Sequence, residues 1–590
     1  MSGLAADLSL PILPKLALSC LLAPLGLSAG LQASSQLPAL HQVTGDGAGD
    51  WFGAAIAPAG DLDGDLVPDF MVGAHQNLNS GHSLNPGYAR VYSGLDGHLI
   101  HSFVGDGTAW IDGPDDHFGY ALSALGDLDG DAVPEIIIGA FKDDNVAHNV
   151  GMLRIFSGAS GALLHQDDGE TNGDRMGVSV AKIADLNGDG VDDYMTGVYK
   201  DDNLVFNGGS TRVFSGADHA LLFTIDGPAT LSGLGWSASS AGDVNADGFA
   251  DIISGAPHDP TSGPFGGMAC VHSGADGSLL YTWYGDAAGD YFGHVVDGAG
   301  DVNADGHADL LVAAIQSTFT GVATGPGFVR IFSGADGSVL YELSGDEVLD
   351  QFGFSAHGVG DVTGDGYDDF LIGAPQAVTL GLVTTGKPGY GRLFSGRDGN
   401  LVYTFVGAGA NDQFGAAVDV VADMDGDGHP EFLFGASQDD ATQSRPGYAL
   451  VISGGLVLMD RYCTAAPNSA GAGAQLDHSG SLSVSANDVV LRATDCPPQH
   501  FGLFYYGSNA ISVPFGDGFR CVGGQTFRLG VASTGFSGTA TLALDLANQP
   551  QAGAQINPGS RWNFQFWYRD IPAAQSGFNL SNAVSAAFAP

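Results

Sequence analysis

The chain has 590 residues, with 66 acidic against 19 basic side chains and a formal net charge of −47. That balance leaves no basic footprint for a nucleic-acid partner, and 44% hydrophobic residues alongside 92 glycines exclude a solvated, disordered chain. The length exceeds one ordinary core, so several domains or a repeat architecture are expected.

Residues 16–29 (LALSCLLAPLGLSA) form an apolar stretch behind Lys15, followed by Ser28, Ala29, Gly30 and Ala33. This reads as a signal peptide over 1–33, too short and too broken by Pro24 to span a membrane. No later segment is long and apolar enough to cross one, so the mature chain is expected to be exported without a transmembrane segment.

From there a repeat dominates. The acidic nonapeptide DLDGDLVPD at 61–69 recurs at 127, 185, 243, 301, 361 and 423. Nine residues before each leading Asp stands Phe52, Phe118, Met176, Leu234, Phe292, Phe352 or Phe414, each followed by Gly. Twelve residues after it stands Gly73, Gly139, Gly197, Gly255, Ala313, Gly373 or Gly435, and further on a β-rich run ends in Ser-Gly. Each unit of about sixty residues carries four short strand-like runs without helical periodicity, which points to four-stranded blades closed in a ring. A linear β-solenoid is the alternative. Either ALHQVTGD (39–46) or GLVLMD (455–460) could supply the closing strand; their sequences do not decide between them.

The Phe-Gly, acidic-loop and Gly-Ala-Pro order, with the full tripeptide at Gly255-Ala256-Pro257 and Gly373-Ala374-Pro375, resembles the FG-GAP repeat of integrin alpha-chain N-terminal propellers. The resemblance covers roughly 39–461 and implies a seven-bladed β-propeller, adhesion or extracellular ligand binding, and a secreted or cell-surface location. Met176 and Leu234 depart from the Phe. No inserted domain interrupts a blade, so the ligand site that such an insert carries in some integrins is absent.

Oxygen ligands at positions 1, 3 and 5 of a tight loop, with a carbonyl at 7 and a carboxylate at 9, suit a hard cation. The candidate ligands are Asp61, Asp63, Asp65 and Asp69 in the first loop, then Asp127, Asp129, Asp131 and Glu135 in the second. The third has Asp185, Asn187, Asp189 and Asp193, the fourth Asp243, Asn245, Asp247 and Asp251, the fifth Asp301, Asn303, Asp305 and Asp309. The sixth has Asp361, Thr363, Asp365 and Asp369, the seventh Asp423, Asp425, Asp427 and Glu431. An apolar residue at position 12 excludes an EF-hand, and the absence of Cys and His side chains from the ligand positions argues against zinc or copper. Up to seven Ca²⁺ are expected. Position 6 is Gly in five loops but Leu66 and Ala132 in the first two.

Loops after the Gly-Ala segments (75–87, 141–150, 199–209, 437–447) and connections such as 105–119 should open on the opposite face, where Trp110, Tyr199 and His258 could contact a ligand. No nucleophile elbow, zinc-protease or phosphate-loop motif occurs, so an enzyme is not expected. The alternatives are a hydrolase or lyase with a site on the propeller face, favoured by a raised-pKa carboxylate at the ring centre, and a structural envelope component.

After Tyr462 the repeat stops, and VVLRAT, FGLFYYG, TFRLGVAS and RWNFQFWYRD read as strands of a C-terminal β-sandwich over 462–590. Trp562, Phe564, Phe566 and Tyr568 form either a sugar-binding stripe or a core face. Among Cys270, Cys463, Cys496 and Cys521, the pair Cys496–Cys521 is the preferred disulfide, with Cys270 a lone thiol. The partner is expected to be an extracellular protein or glycan, with no nucleic acid bound.

Overall fold

The computed structural model describes residues 39–590 apart from 76–85, 108–115, 317–324, 377–385, 439–444, 455–459, 472, 480–483, 485–486, 488, 547–554, 558–559, 571–575 and 589–590. The expected signal peptide lies outside the described residues, as does Trp110. Among the described residues there is no helix, and so none long and apolar enough to cross a membrane.

Each repeat folds as a four-stranded antiparallel sheet. β1 (Ala39–Thr44) precedes the first, which is β2–β5 (Ala55–Gly60, Asp69–Ala74, Tyr88–Tyr92, Leu99–Val104). The second is β6–β9 (Ala121–Ala124, Ile136–Ala140, Met152–Phe156, Leu163–Asp168) and the third β10–β13 (Met176–Ile183, Asp193–Val198, Ser210–Phe214, Leu221–Asp226). The fourth is β14–β17 (Ser237–Gly242, Asp251–Ala256, Met268–His272, Leu279–Tyr284) and the fifth β18–β21 (Phe292–Gly300, Asp309–Ala314, Phe328–Phe332, Val339–Ser344). The sixth is β22–β25 (Ser355–Gly360, Asp369–Ala374, Tyr390–Phe394, Leu401–Val406). The seventh has β26–β28 (Phe414–Val421, Glu431–Ala436, Tyr448–Ile452) and takes β1 as its fourth strand, with Thr44 opposite Tyr448. This settles the closing strand in favour of the 39–46 segment; residues 455–459 of the competing one lie outside the described residues.

The second strand of each sheet, such as DFMVGA at 69–74, is an unbroken run because it is buried along its whole length. Fourth strands keep exposed positions such as Leu99 and Leu279. Apolar clusters fill the space between consecutive sheets: Met71 and Val91 of the first meet Phe118 and Ile138 of the second. The succession returns on itself, since Leu433 and Val451 of the seventh sheet pack with Phe70 and Val72 of the first. Leu40 and Val43 of β1 pack against that cluster. The arrangement is consistent with a β-propeller.

The Phe-Gly pair is explained by these contacts. Phe52, Phe118, Phe292, Phe352 and Phe414 are fully buried between sheets. The Gly behind Phe118 has φ +85°, and a Cβ there would lie 2.4 Å from the Tyr88 carbonyl oxygen of the preceding sheet. Only glycine allows both that conformation and that approach.

β29–β36 (Asp460–Cys463, Gln475–Ser479, Val490–Thr494, Phe501–Phe515, Gly518–Ser533, Ala540–Ala543, Arg561–Arg569, Phe578–Ala587) form a five-stranded sheet, ordered β29-β36-β35-β32-β33, and a three-stranded sheet, β30-β31-β34. Both contribute to one core, with Leu476, Leu491 and Ala540 from the smaller sheet and Phe504, Phe564 and Val584 from the larger. Phe564, Phe566 and Tyr568 are fully buried there, which overturns the sugar-binding alternative for them. The preferred disulfide is also corrected: the bond joins Cys463 to Cys521. Cys521 sits in a satellite cluster with Val522 and Ala583 beside Cys463, whereas Cys496 is buried in the main core as a free thiol. Cys270 is likewise free and buried.

Candidate functional site

Each acidic loop joins the first strand of its sheet to the second, so that position 9 opens the second strand. The loop is held by its own carboxylates. In all seven, the position 1 Asp accepts the N–H of position 6, from Leu66 to Asp61 at 3.0 Å through Gly428 to Asp423 at 2.9 Å. The position 5 Asp accepts the N–H of position 7 in every loop. This folding-back drives position 6 into the left-handed region, φ 70° at Leu66 and 71° at Ala132 against 88–91° at the five glycines.

Position 9 divides the loops into two kinds. In five of them its Asp binds the backbone with both oxygens: Asp69 accepts Leu62 N–H at 2.8 Å and Gly94 N–H, of the Ser-Gly segment, at 3.0 Å. Asp193, Asp251, Asp309 and Asp369 repeat this with Gly216, Gly274, Gly334 and Gly396. In the second and seventh loops the residue is Glu, whose Oε2 accepts the N–H of Leu128 or Met424. Glu135 Oε1 and Glu431 Oε1 are buried and have no hydrogen-bond partner. Burial, aided by the neighbouring aspartates, pushes both carboxyls up to about 7.

The loops differ in convergence as well. Asp127, Asp129, Asp131 and Glu135 offer oxygens within 4.8 Å of one another, as do Asp423, Asp425, Asp427 and Glu431, and also Asp61, Asp63 and Asp69. Loops three to six, with Asn187, Asn245, Asn303 or Thr363 at position 3, form no such group of three acids among the described residues. An orphaned carboxylate oxygen among four converging acids fits a hard divalent cation. The donor set of loops two and seven therefore accommodates the expected metal best.

On the opposite face two repeating features escaped the sequence reading. Two residues before each Phe or its substitute lies a buried Asp (Asp50, Asp116, Asp174, Asp290, Asp350, Asp412), with Ser232 in the fourth repeat. It folds the incoming connection, as where Asp50 accepts the N–H of Asp46, Gly47 and Phe52. The third strand also carries an Arg that pairs with an acid of the connection following the preceding sheet or β1: Arg90–Asp46, Arg154–Asp106, Arg212–Glu170, Arg330–Asp286 and Arg392–Asp346. Where Cys270 or Leu450 replaces the Arg, Pro228 or Ala408 replaces the acid. That paired loss was the available signal.

Tyr199, Trp236 and His258 pack edge-to-face in a largely buried group, with His294 tilted against Trp236. Burial lowers His258 to about 4 and His294 to about 3, so both are neutral packing elements near pH 7. Where the first strands meet, His357 of β22 places Nδ1 2.6 Å from Asp297 of β18 and Nε2 3.3 Å from Asp419 of β26. Ser239 of β14 donates to Asp297 at 2.6 Å. Burial alone would lower the imidazole's pKa, but the two carboxylates outweigh it and raise it to about 10, while burial raises that of Asp419.

The chain carries FG-GAP repeats: the FG-GAP repeat model matches residues 235–268 and 352–399. It is similar to integrin alpha chains. Integrin alpha-4 of Xenopus laevis is 30% identical over 218 residues, 35% of this chain and 20% of that protein. Integrin alpha-V of Gallus gallus is 26% identical over 217 residues, 34% of this chain and 20% of its own length. The chain thus spans about a fifth of these relatives. The crystal structure of Saccharomyces cerevisiae Sqt1 covers 71% of this chain and 99% of its own at 10% identity, and its TM-score of 0.40 is too low to bear on the reading.

Proposed function

We propose that the chain is an exported, calcium-loaded, seven-bladed FG-GAP propeller (39–461) behind a signal peptide (1–33), with a C-terminal β-sandwich (462–590). It acts in adhesion or extracellular binding of a protein or glycan, at the cell surface or after secretion. Seven four-stranded sheets in cyclic succession and two C-terminal sheets around one core support the architecture. The similarity to integrin alpha chains supports the binding role. The observation that carries the calcium reading is the pair of buried, partnerless oxygens, Glu135 Oε1 and Glu431 Oε1, each among four converging acids.

The calcium is structural: it lets crowded carboxylates coexist and pins the turn between two strands. Extracellular modules of this kind bind at roughly 10⁻⁴–10⁻³ M. Melting followed with millimolar Ca²⁺ and with excess chelator should differ by many degrees at low salt, and Glu135→Gln/Glu431→Gln should shrink the difference. An unchanged melting curve in chelator would sink the reading. A glycan and protein array, run with and without Ca²⁺, tests the binding role.

Asp419, a carboxylate with a raised pKa where the first strands meet, is the feature a hydrolase or lyase would use. His357 between the carboxylates is held protonated far above neutrality, so it offers no general base near pH 7. Binding is the better-supported reading.

A further inference from the structure

Comparison among the repeats picks out a place where two buried carboxylates are short of donors together; Asp259, the fourth-repeat counterpart, also has a partnerless Oδ2, but Ser232 stands there in place of the second acid. The Asp two residues before the Phe elsewhere receives a side-chain donor. Tyr88 Oη donates to Asp50 at 2.6 Å and Thr171 Oγ1 to Asp174 at 2.6 Å. Gln316 donates to Asp290 at 3.1 Å and Gln376 to Asp350 at 2.8 Å, while Arg445 lies 3.0 Å from Asp412. Asp116, 1% exposed, receives only the N–H of Gly107, at 2.9 Å, among the described residues, and the tyrosine of the first repeat is replaced by Met152.

Beside it lies a second buried acid. Asp143 is fully buried; its Oδ1 accepts Asn145 N–H at 2.9 Å and its Oδ2 has no partner. The counterpart in the next repeat, Asp201, is met by Ser210 Oγ at 2.6 Å and by Arg212 at 2.9 Å. In the second repeat Met152 stands in place of that serine, and Arg154 turns instead to Asp106, at 2.6 Å, and to Gln166. Asp106, Asp116 and Asp143 offer oxygens within 4.8 Å of one another. Asp116 and Asp143 are buried beside the exposed Asp106, and the Arg154 guanidinium is engaged by Asp106, so negative charge gathers at two buried carboxylates, which is costly unless a cation meets them.

We infer that Asp106, Asp116 and Asp143 bind a divalent cation of the hard, oxygen-seeking class, Ca²⁺ by chemistry, at the end of the second sheet opposite its acidic loop. The antiparallel order places it there, since the acidic loop joins β6 to β7 while Asp116 precedes β6 and Asp143 follows β7. A divalent ion offsets the gathered negative charge and gives Asp143 Oδ2 its missing partner. Oxygen-only donors disfavour zinc or copper.

Equilibrium dialysis of the full chain against labelled Ca²⁺ tests this. Asp143→Asn and, separately, Asp116→Asn should each bind one ion fewer per chain than the wild type. In excess chelator each should melt no lower than the wild type, because a buried unpaired charge has gone. Wild-type stoichiometry in both variants overturns the inference. Crystals of the intact chain soaked in Sr²⁺ give a readout free of any variant: anomalous density should lie between the three carboxylates. Density in the acidic loops with none at this cluster would overturn the inference while sparing the loop reading, and the converse would do the opposite.

Discussion

His357→Gln removes the imidazole that ties together the first strands of three sheets. Lifting an imidazole from 6.5 to about 10 is equivalent to about 5 kcal/mol of stabilisation before screening. The His357 side chain is 37% exposed, so solvent cuts this to roughly 2–3 kcal/mol. The pKa is raised in the folded chain, so the contribution is fully present below pH 6.5 and is lost as pH rises toward about 10. Urea unfolding followed by tryptophan fluorescence, in chelator at fixed ionic strength, should show the wild type more stable than the variant near pH 6.5. The gap should close steadily with pH and vanish near 10. A gap that stays constant, or widens, over that window would refute the charge triad. The same titration bears on catalysis, because a histidine free to act as a base would lose its proton near neutrality instead.

Two further outcomes follow from the ion pairs and the disulfide. Arg212→Met should cost about 3–5 kcal/mol because it strands Asp201, whose side chain is 4% exposed. Glu170→Gln, at a partner 62% exposed, should cost less than about 1 kcal/mol, and a double-mutant cycle giving the reverse order would contradict the assignment. Cys463→Ser should destabilise the C-terminal sheets by roughly 2–4 kcal/mol, since the bond closes a loop of 58 residues. Adding reductant to the wild type should reproduce that loss, and Cys496→Ser should retain the sensitivity to reductant.

The repeat, its four strands and its acidic loops were legible because they rest on local signals: alternation, turn residues and fixed offsets. The same locality misled at position 9, where Asp and Glu look interchangeable. One methylene decides whether the second oxygen reaches a glycine N–H, as in Asp69, or is left without a partner, as in Glu135. His357 was invisible because its two carboxylates lie about sixty residues away on either side, in neighbouring sheets. The cysteine pairing failed for a related reason. Sequence separation does not reveal that Cys496 points into the main core while Cys463 and Cys521 share the satellite one.

The pairing of β1 with β28 also sets the order in which the molecule can be made. Thr44 waits for Tyr448, about 400 residues later in the chain, and translation at about 5–20 residues per second leaves the first strand partnerless for roughly 20–80 s. Through that interval the segment carrying Leu40 and Val43 is an unpaired edge, available to the wrong sheet or to another copy of the chain. Early sheets can form as they emerge, but the last cannot be completed until its own three strands exist. Completion of the seventh sheet is then a single late event made by a strand synthesised first, through a pairing of far greater sequence separation than the others within the seven sheets.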